Sequence, residues 1–130
     1  MSFNLQKIIY AEDEPDVQMV VVQTLKHIGG FEVCPCNNGS ELLENINKFD
    51  PDLILLDVMM PDMDGATTLK HLKQNIQTRN IPIIFLTAKA QLKDVDAYKQ
   101  LGVIGVITKP FDPLQLSDII LEMWSEYNKQ

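Results

Sequence analysis

The chain has 130 residues and a mass of 14.8 kDa, with 45% hydrophobic and 22% charged residues, which suits one folded domain and excludes disordered, collagenous and low-complexity classes. Eleven Lys and Arg against eighteen Asp and Glu leave a formal charge of -7, a poor surface for duplex phosphates, so direct nucleic-acid binding is not expected. No apolar run approaches the length of a membrane span, and the start Met1-Ser2-Phe3-Asn4 lacks the layout of a signal peptide, so no membrane association and a cytoplasmic location are expected.

In chain order, apolar runs rich in Ile, Val and Leu alternate five times with segments of helical period, without a linker between them. The runs Lys7 to Ala11, Phe31 to Cys36, Leu53 to Leu56, Ile81 to Leu86 and Ile104 to Ile107 have the length and composition of strands buried on both faces. After the first, Pro15 opens a helix whose Val17, Val21, Thr24, Leu25 and Ile28 share one side and which stops at Gly29-Gly30. Asn38 and Glu41 have the spacing of a capping box for a second helix carrying Leu42, Ile46 and Phe49 and closed by Asp50-Pro51. Asp64 is placed to cap a third with Leu69, Leu72 and Ile76, while Leu92, Val95 and Tyr98 mark a fourth that ends near Gly102. Asp112-Pro113 opens the fifth, with Leu116, Ile120, Met123 and Tyr127 on one side. The expected fold is α/β, a (βα)5 doubly wound parallel sheet in one domain over residues 1-130. Right-handed crossovers gather the loops after the strands on one edge, where doubly wound sheets bind ligands.

On that edge the residues at or just beyond four of the strands are polar: Glu12 and Asp13, then Asp57, Thr87 and Lys109. Three carboxylates from neighbouring strands repel one another unless a cation lies between them, and an all-oxygen donor set with no His or thiolate favours Mg2+. Lys109 and Thr87 add a cation and a hydroxyl, the groups that a phosphoryl group on a carboxylate needs around its oxygens. Asp57 is the best-placed nucleophile.

Four motifs carry a resemblance. Ala11-Glu12-Asp13-Glu14, Leu55-Leu56-Asp57-Val58-Met59-Met60-Pro61-Asp62-Met63-Asp64-Gly65, Leu86-Thr87-Ala88 and Thr108-Lys109-Pro110-Phe111, in this order and spacing, resemble the receiver domain of two-component response regulators. The resemblance runs from about Lys7 to Tyr127 and implies a flavodoxin-like strand order, 2-1-3-4-5. It implies Asp57 as a phosphoacceptor served by a histidine kinase or a histidine phosphotransfer protein. It implies Asp13 as a direct Mg2+ ligand, Glu12 as one acting through water, and the Met59 backbone carbonyl as a further ligand. Thr87 would hydrogen-bond the phosphoryl group, Lys109 would pair with it, and the bond before Pro110 would be cis. Such a domain is a substrate and switch rather than an enzyme. It would act on a downstream protein through the face of helix four, strand five and helix five, or pass phosphate onward, and a phosphorylation-linked dimer is also implied. The segment Gly102 to Pro113 resembles a subtype seen in free-standing regulators and in receivers attached to kinases. Receivers often carry Tyr or Phe three residues before the lysine, where this chain has Val106. The aromatic half of the switch is therefore absent, and coupling is expected to rest on the loop from Thr87 through Gln91.

Competing functions meet specific obstacles. A phosphatase of the haloacid-dehalogenase kind also uses an aspartyl phosphate, but calls for a second Asp two residues after the nucleophile, where Met59 stands. The acidic loop Glu12-Asp13-Glu14 would repel a flavin phosphate, and no GxxxxGK[ST] motif occurs. A pseudo-receiver, an interaction module that does not depend on phosphorylation, remains the alternative. Cys34 and Cys36 flank Pro35 and read as small hydrophobes rather than a redox or zinc pair, and His27 and His71 read as ordinary helix residues. Met19, Met59, Met60, Met63 and Met123 read as packing or loop residues, and Trp124 as either core or a partner anchor.

Overall fold

The five apolar runs form strands β1 (Lys7–Ala11), β2 (Glu32–Cys36), β3 (Leu53–Asp57), β4 (Ile83–Thr87) and β5 (Gly105–Thr108). Between and after them lie α1 (Pro15–His27), α2 (Gly39–Phe49), α3 (Gly65–Gln74), α4 (Leu92–Gln100) and α5 (Pro113–Asn128). A computed structural model describes residues 4–60, 63–88 and 91–129. The strands form one parallel sheet in the order β2-β1-β3-β4-β5, the order that the resemblance implied. Chain order reverses between β1 and β3, so the crevice for a ligand opens at their carboxyl ends.

Helices cover both faces of the sheet, which is why β3 and β4 are buried at every residue. Side chains alternate across it. Ile8, Tyr10, Leu55, Leu86 and Ile107 pack with Val21 and Leu25 of α1 and Leu116 and Ile120 of α5. Ile9, Ile54, Leu56 and Phe85 pack on the other face with Leu42, Ile46, Leu69 and Leu72 of α2 and α3. Each such burial contributes about 1.5–3 kcal/mol, and together they fix which residues reach the crevice edge. Asp112 and Asp64 cap α5 and α3, their carboxylates accepting from the Leu114 and Thr67 amides at 2.9 and 2.8 Å.

Several local expectations are corrected. The ladder of β4 starts two residues later than expected because Pro82 has no N–H to give it, although its carbonyl accepts from the Ile54 amide at 2.9 Å. β5 is displaced by one residue, and β2 begins after Phe31, whose ring is nevertheless buried. Helix α3 ends at Gln74, leaving Ile76 73% exposed, because the buried Thr78 hydroxyl donates to the Leu72 carbonyl at 2.7 Å and takes the acceptor that Ile76 would have used. Ile28 also faces solvent: it caps α1 just before the chain turns through Gly30, whose φ of +72° is open to glycine and strained for other residues. Of the expected α4 positions, Leu92 is 79% exposed while Val95 and Tyr98 are half-buried, Tyr98 against the core, so α4 buries none of its residues fully. Only half of the α2 capping box forms. Asn38 accepts from the Glu41 amide at 2.8 Å, but the Glu41 carboxylate accepts from Asn37 at 3.3 Å instead of returning to Asn38.

Pro35 fits β2 because that strand is at the edge of the sheet, where a missing N–H costs no ladder bond. Cys34 is half-buried and Cys36 buried, both as free thiols. Burial, and then the neighbouring Cys34, push the Cys36 thiol up to about 12, away from the thiolate form that redox or metal chemistry requires. Among the described residues no helix is long and apolar enough to cross a membrane.

Candidate functional site

Register places the acids together. Ala11 stands opposite Leu56, so Glu12 and Asp13, which leave β1, emerge beside Asp57 at the end of β3. One oxygen from each of Glu12, Asp13 and Asp57 lies within 4.8 Å of the others. Glu12 is wholly buried and Asp57 only 2% exposed, so their mutual repulsion is poorly screened. Lys109, just beyond β5, relieves part of it by donating to Glu12 Oε1 at 3.0 Å and to Asp57 Oδ2 at 3.2 Å. The other Asp57 oxygen, Oδ1, accepts from the Met59 amide at 3.2 Å.

Even so, the Asp57 carboxyl is pushed up to about 7, by burial first and by Glu12 next, against the lowering effects of Lys109 and the Met59 N–H. Burial alone would lower Lys109, but hydrogen bonds and the charges of Glu12 and Asp57 hold its ammonium above the ordinary lysine value. Asp13 Oδ1 is buried without a hydrogen-bond partner, an uncompensated acceptor facing a surplus of negative charge. An acceptor of that kind, beside two more carboxylates and no His or thiolate, fits a hard divalent cation such as Mg2+.

Thr87 ends β4, fully buried and in register with Thr108, and its carbonyl accepts from the Lys109 amide at 2.8 Å. The Lys109-Pro110 bond is cis, as the resemblance implied. Met59 stands two residues after Asp57, 65% exposed, and its thioether has no proton to give a leaving group. Gly65 opens α3 hard against the end of β3: a Cβ there would lie 2.7 Å from Val58 Cα and 2.9 Å from the Asp57 carbonyl oxygen. Pro61 and Asp62 of the Leu55 to Gly65 motif, and Lys89 and Ala90 of the loop from Thr87 through Gln91, lie outside the described residues.

Two residues at the site carry a signal that the apolar pattern hides. Tyr10 reads as one more strand hydrophobe, yet it is two residues before Glu12 and so shares its face, and its hydroxyl donates to Glu12 Oε1 at 2.9 Å. Burial, and then the Glu12 charge, push this hydroxyl upward, so it remains a donor. Gln18 on α1 spans the ends of β1 and β2: its amide nitrogen donates to the Glu12 and Cys36 carbonyls, both at 3.0 Å, and holds the acidic loop against the sheet edge.

On the α4 side, Phe85 of β4 stands opposite Val106 of β5 and meets the Tyr98 ring edge-on, with centroids 5.3 Å apart. Val106 is half-buried beside this pair, and below it a groove of about 710 Å³ runs between α4, β5 and α5, lined by Val95, Lys99, Val106, Met123 and Tyr127. A second, apolar cleft of about 460 Å³ opens beside Lys109, lined by Val17, Val20, Pro110, Phe111 and Pro113. His27 and His71 are exposed on their helices, and Trp124 is half-buried against the core between α1 and α5.

Comparison with known proteins places these features in a family. The family model described as "Response regulator receiver domain" matches residues 8–121. The chain is 44% identical over 91 residues to the probable transcriptional regulator ycf29 of Pyropia yezoensis, covering 70% of this chain and 41% of that protein. It is 35% identical over 111 residues to the phosphate regulon transcriptional regulatory protein PhoB of Escherichia coli K12, covering 85% of this chain and 48% of that one. The chain thus spans less than half the length of these two relatives. Among solved structures, the chemotaxis protein CheY4 of Vibrio cholerae superimposes with a TM-score of 0.84 at 28% identity, covering 92% of this chain and 99% of that one. With the family model matched over nearly the whole sheet and the acid cluster seated at its switch point, the chain belongs to the receiver domains of two-component response regulators.

Proposed function

We propose that this domain, one unit over residues 1-130, accepts a phosphoryl group on Asp57 and uses the modified aspartate to alter a protein-binding face. The observation that carries the reading is the cluster of Glu12, Asp13 and Asp57, with Lys109 bridging its two buried members, Glu12 and Asp57, and Asp13 Oδ1 left unpartnered. The donor is a phosphohistidine on a histidine kinase or a histidine phosphotransfer protein. A carboxylate oxygen of Asp57 attacks phosphorus in line with the bond that breaks, the P–N bond of the donor, and the departing imidazole takes up a proton. Lys109, already within 3.2 Å of Asp57, meets the growing charge on the transferred oxygens, and the Thr87 hydroxyl supplies a further donor from the neighbouring strand.

Asp13, Asp57 and the Met59 carbonyl would hold Mg2+, with Glu12 acting through water. Bound there, the ion offsets the carboxylate repulsion and the charge on the phosphoryl group. Asp57 depends on that help, because burial and the neighbouring Glu12 raise its carboxyl and so disfavour the carboxylate form that attacks. With Met59 where a phosphatase would need an acid, the domain is a signalling phosphoacceptor and not a turnover enzyme for external esters; slow loss of its own phosphate is a self-reaction. The groove between α4, β5 and α5 is the surface through which the change passes to a downstream protein, or to a second copy on phosphorylation.

The test is incubation of the chain with Mg2+ and a small acyl phosphate or phosphoramidate. The expected result is stoichiometric, acid-labile, hydroxylamine-sensitive phosphate that Mg2+ chelation prevents. A chain that takes up none under these conditions, although folded, would be a phosphorylation-independent interaction module instead.

A further inference from the structure

The Tyr10 hydroxyl is unexplained by folding alone. Position 10 lies within an apolar core of Ile8, Leu25, Leu55 and Leu86, where a phenylalanine would fill the same space without a polar atom to satisfy. Among the described residues its hydroxyl is paired with a side chain and not with a backbone carbonyl. It donates at 2.9 Å to Glu12 Oε1, the same oxygen that Lys109 reaches at 3.0 Å. Two donors therefore converge on one oxygen of a wholly buried carboxylate, and one of them, Lys109, is shared with Asp57 at 3.2 Å.

The two donors differ in freedom. Tyr10 is fully buried in β1 with its ring locked in the core, while the Lys109 ammonium rides on a flexible four-carbon stem and is partly exposed. Phosphorylation of Asp57 adds about one further negative charge and new acceptor oxygens, and so pulls the ammonium toward position 57. Mg2+ acting through water serves one oxygen of Glu12, but a buried Oε1 that loses the lysine with nothing in its place is still costly. We propose that Tyr10 is a positioning residue for phosphorylation: its fixed hydroxyl keeps Glu12 Oε1 hydrogen-bonded when Lys109 turns to the phosphoryl group, so the lysine can leave without stranding Glu12. The inference rests on Asp57 being the phosphoacceptor.

The experiment compares the unaltered chain with Tyr10→Phe, using Mg2+ alone and then beryllofluoride in saturating Mg2+ as a stable mimic of the phosphoryl group. In the resting state Lys109 still covers Glu12, so Mg2+ affinity, read by calorimetry or amide shifts, should change by less than about two-fold. Beryllofluoride affinity should fall about ten-fold, the loss expected when a hydrogen bond to a buried charge is removed. In a Glu12→Gln background the effect of Tyr10→Phe should shrink to less than about two-fold, because a neutral amide left by the lysine is not a stranded charge. Equal beryllofluoride affinity in Tyr10→Phe and the unaltered chain, or a ten-fold loss that persists in the Glu12→Gln background, would overturn the role of Tyr10. Should Tyr10→Phe fail to fold, the hydroxyl proton of Tyr10 in the unaltered chain decides: it should stay slow to exchange when beryllofluoride binds, and its loss would overturn the proposal. An unaltered chain that binds no beryllofluoride would instead remove the phosphoacceptor reading itself.

Discussion

Replacing Asp57 by Asn should make the metal-free domain more stable at pH 8, although it deletes the residue that the site is built around. Asp57 is 2% exposed, and burial together with Glu12 raises its carboxyl from 3.8 to about 7. The folded chain therefore binds this proton more tightly than the unfolded chain. Stability from this group is fully present below about pH 3.8 and is lost as pH rises, with the loss complete once the folded value near 7 is passed. At about 1.4 kcal/mol per pH unit, the rise from 3.8 to about 7 corresponds to an upper bound of about 4 kcal/mol. Asparagine keeps an oxygen for the Met59 amide, carries no charge to bury, and leaves Lys109 to Glu12 alone. A gain of about 1–3 kcal/mol at pH 8 is therefore expected, which for a domain of this size raises Tm by roughly 3–10 °C. Thermal melts of both chains in a chelator, from pH 4.5 to pH 8, should show the gap widening with pH, and added Mg2+ should stabilise the unaltered chain and not Asp57→Asn. A variant less stable at pH 8, or a gap independent of pH, would refute the account of charge crowding.

Asp13→Ala should weaken Mg2+ binding by at least about ten-fold while leaving the fold intact, since it removes the buried carboxylate oxygen of the cluster that has no hydrogen-bond partner; calorimetry showing unchanged affinity would refute that ligand assignment. Thr87→Ala should leave phosphate uptake at Asp57 largely intact and abolish the accompanying amide-shift changes in α4, whereas Val106→Ala should alter both little. Loss of the response in Val106→Ala would make the valine an active switch element. Gly65→Ala should cost about 1–3 kcal/mol in denaturant unfolding and weaken Mg2+ binding together, because its Cβ would meet Val58 Cα and the Asp57 carbonyl at under 3 Å and these backbone atoms have nowhere soft to move.

Much of the architecture is legible in the sequence because burial on both faces leaves a strong mark. Strands such as Leu53-Ile54-Leu55-Leu56 are uninterrupted apolar runs, and the polar residues that end them point to one edge. What escaped were features decided by tertiary competition. Ile76 follows the period of α3, but Thr78 captures the Leu72 carbonyl and the helix stops first. Leu92 has the spacing of a buried position on a helix whose packing against the sheet is too shallow to cover it. At the site, Glu12, Asp13, Asp57 and Lys109 could be collected from strand ends alone, because charged residues beside buried strands are conspicuous. Tyr10 could not, because a phenol in an apolar run reads as volume, and its hydroxyl acquires meaning only when Glu12 is seen two residues on and wholly buried.

The most direct measurement is to locate the phosphate. The chain is phosphorylated with a small donor in Mg2+, reduced with borohydride to convert any aspartyl phosphate to homoserine, and digested for peptide mass analysis. Homoserine is expected at position 57 alone, absent when Mg2+ is chelated and absent from Asp57→Asn. Homoserine at another position, or equal labelling of Asp57→Asn, would contradict it.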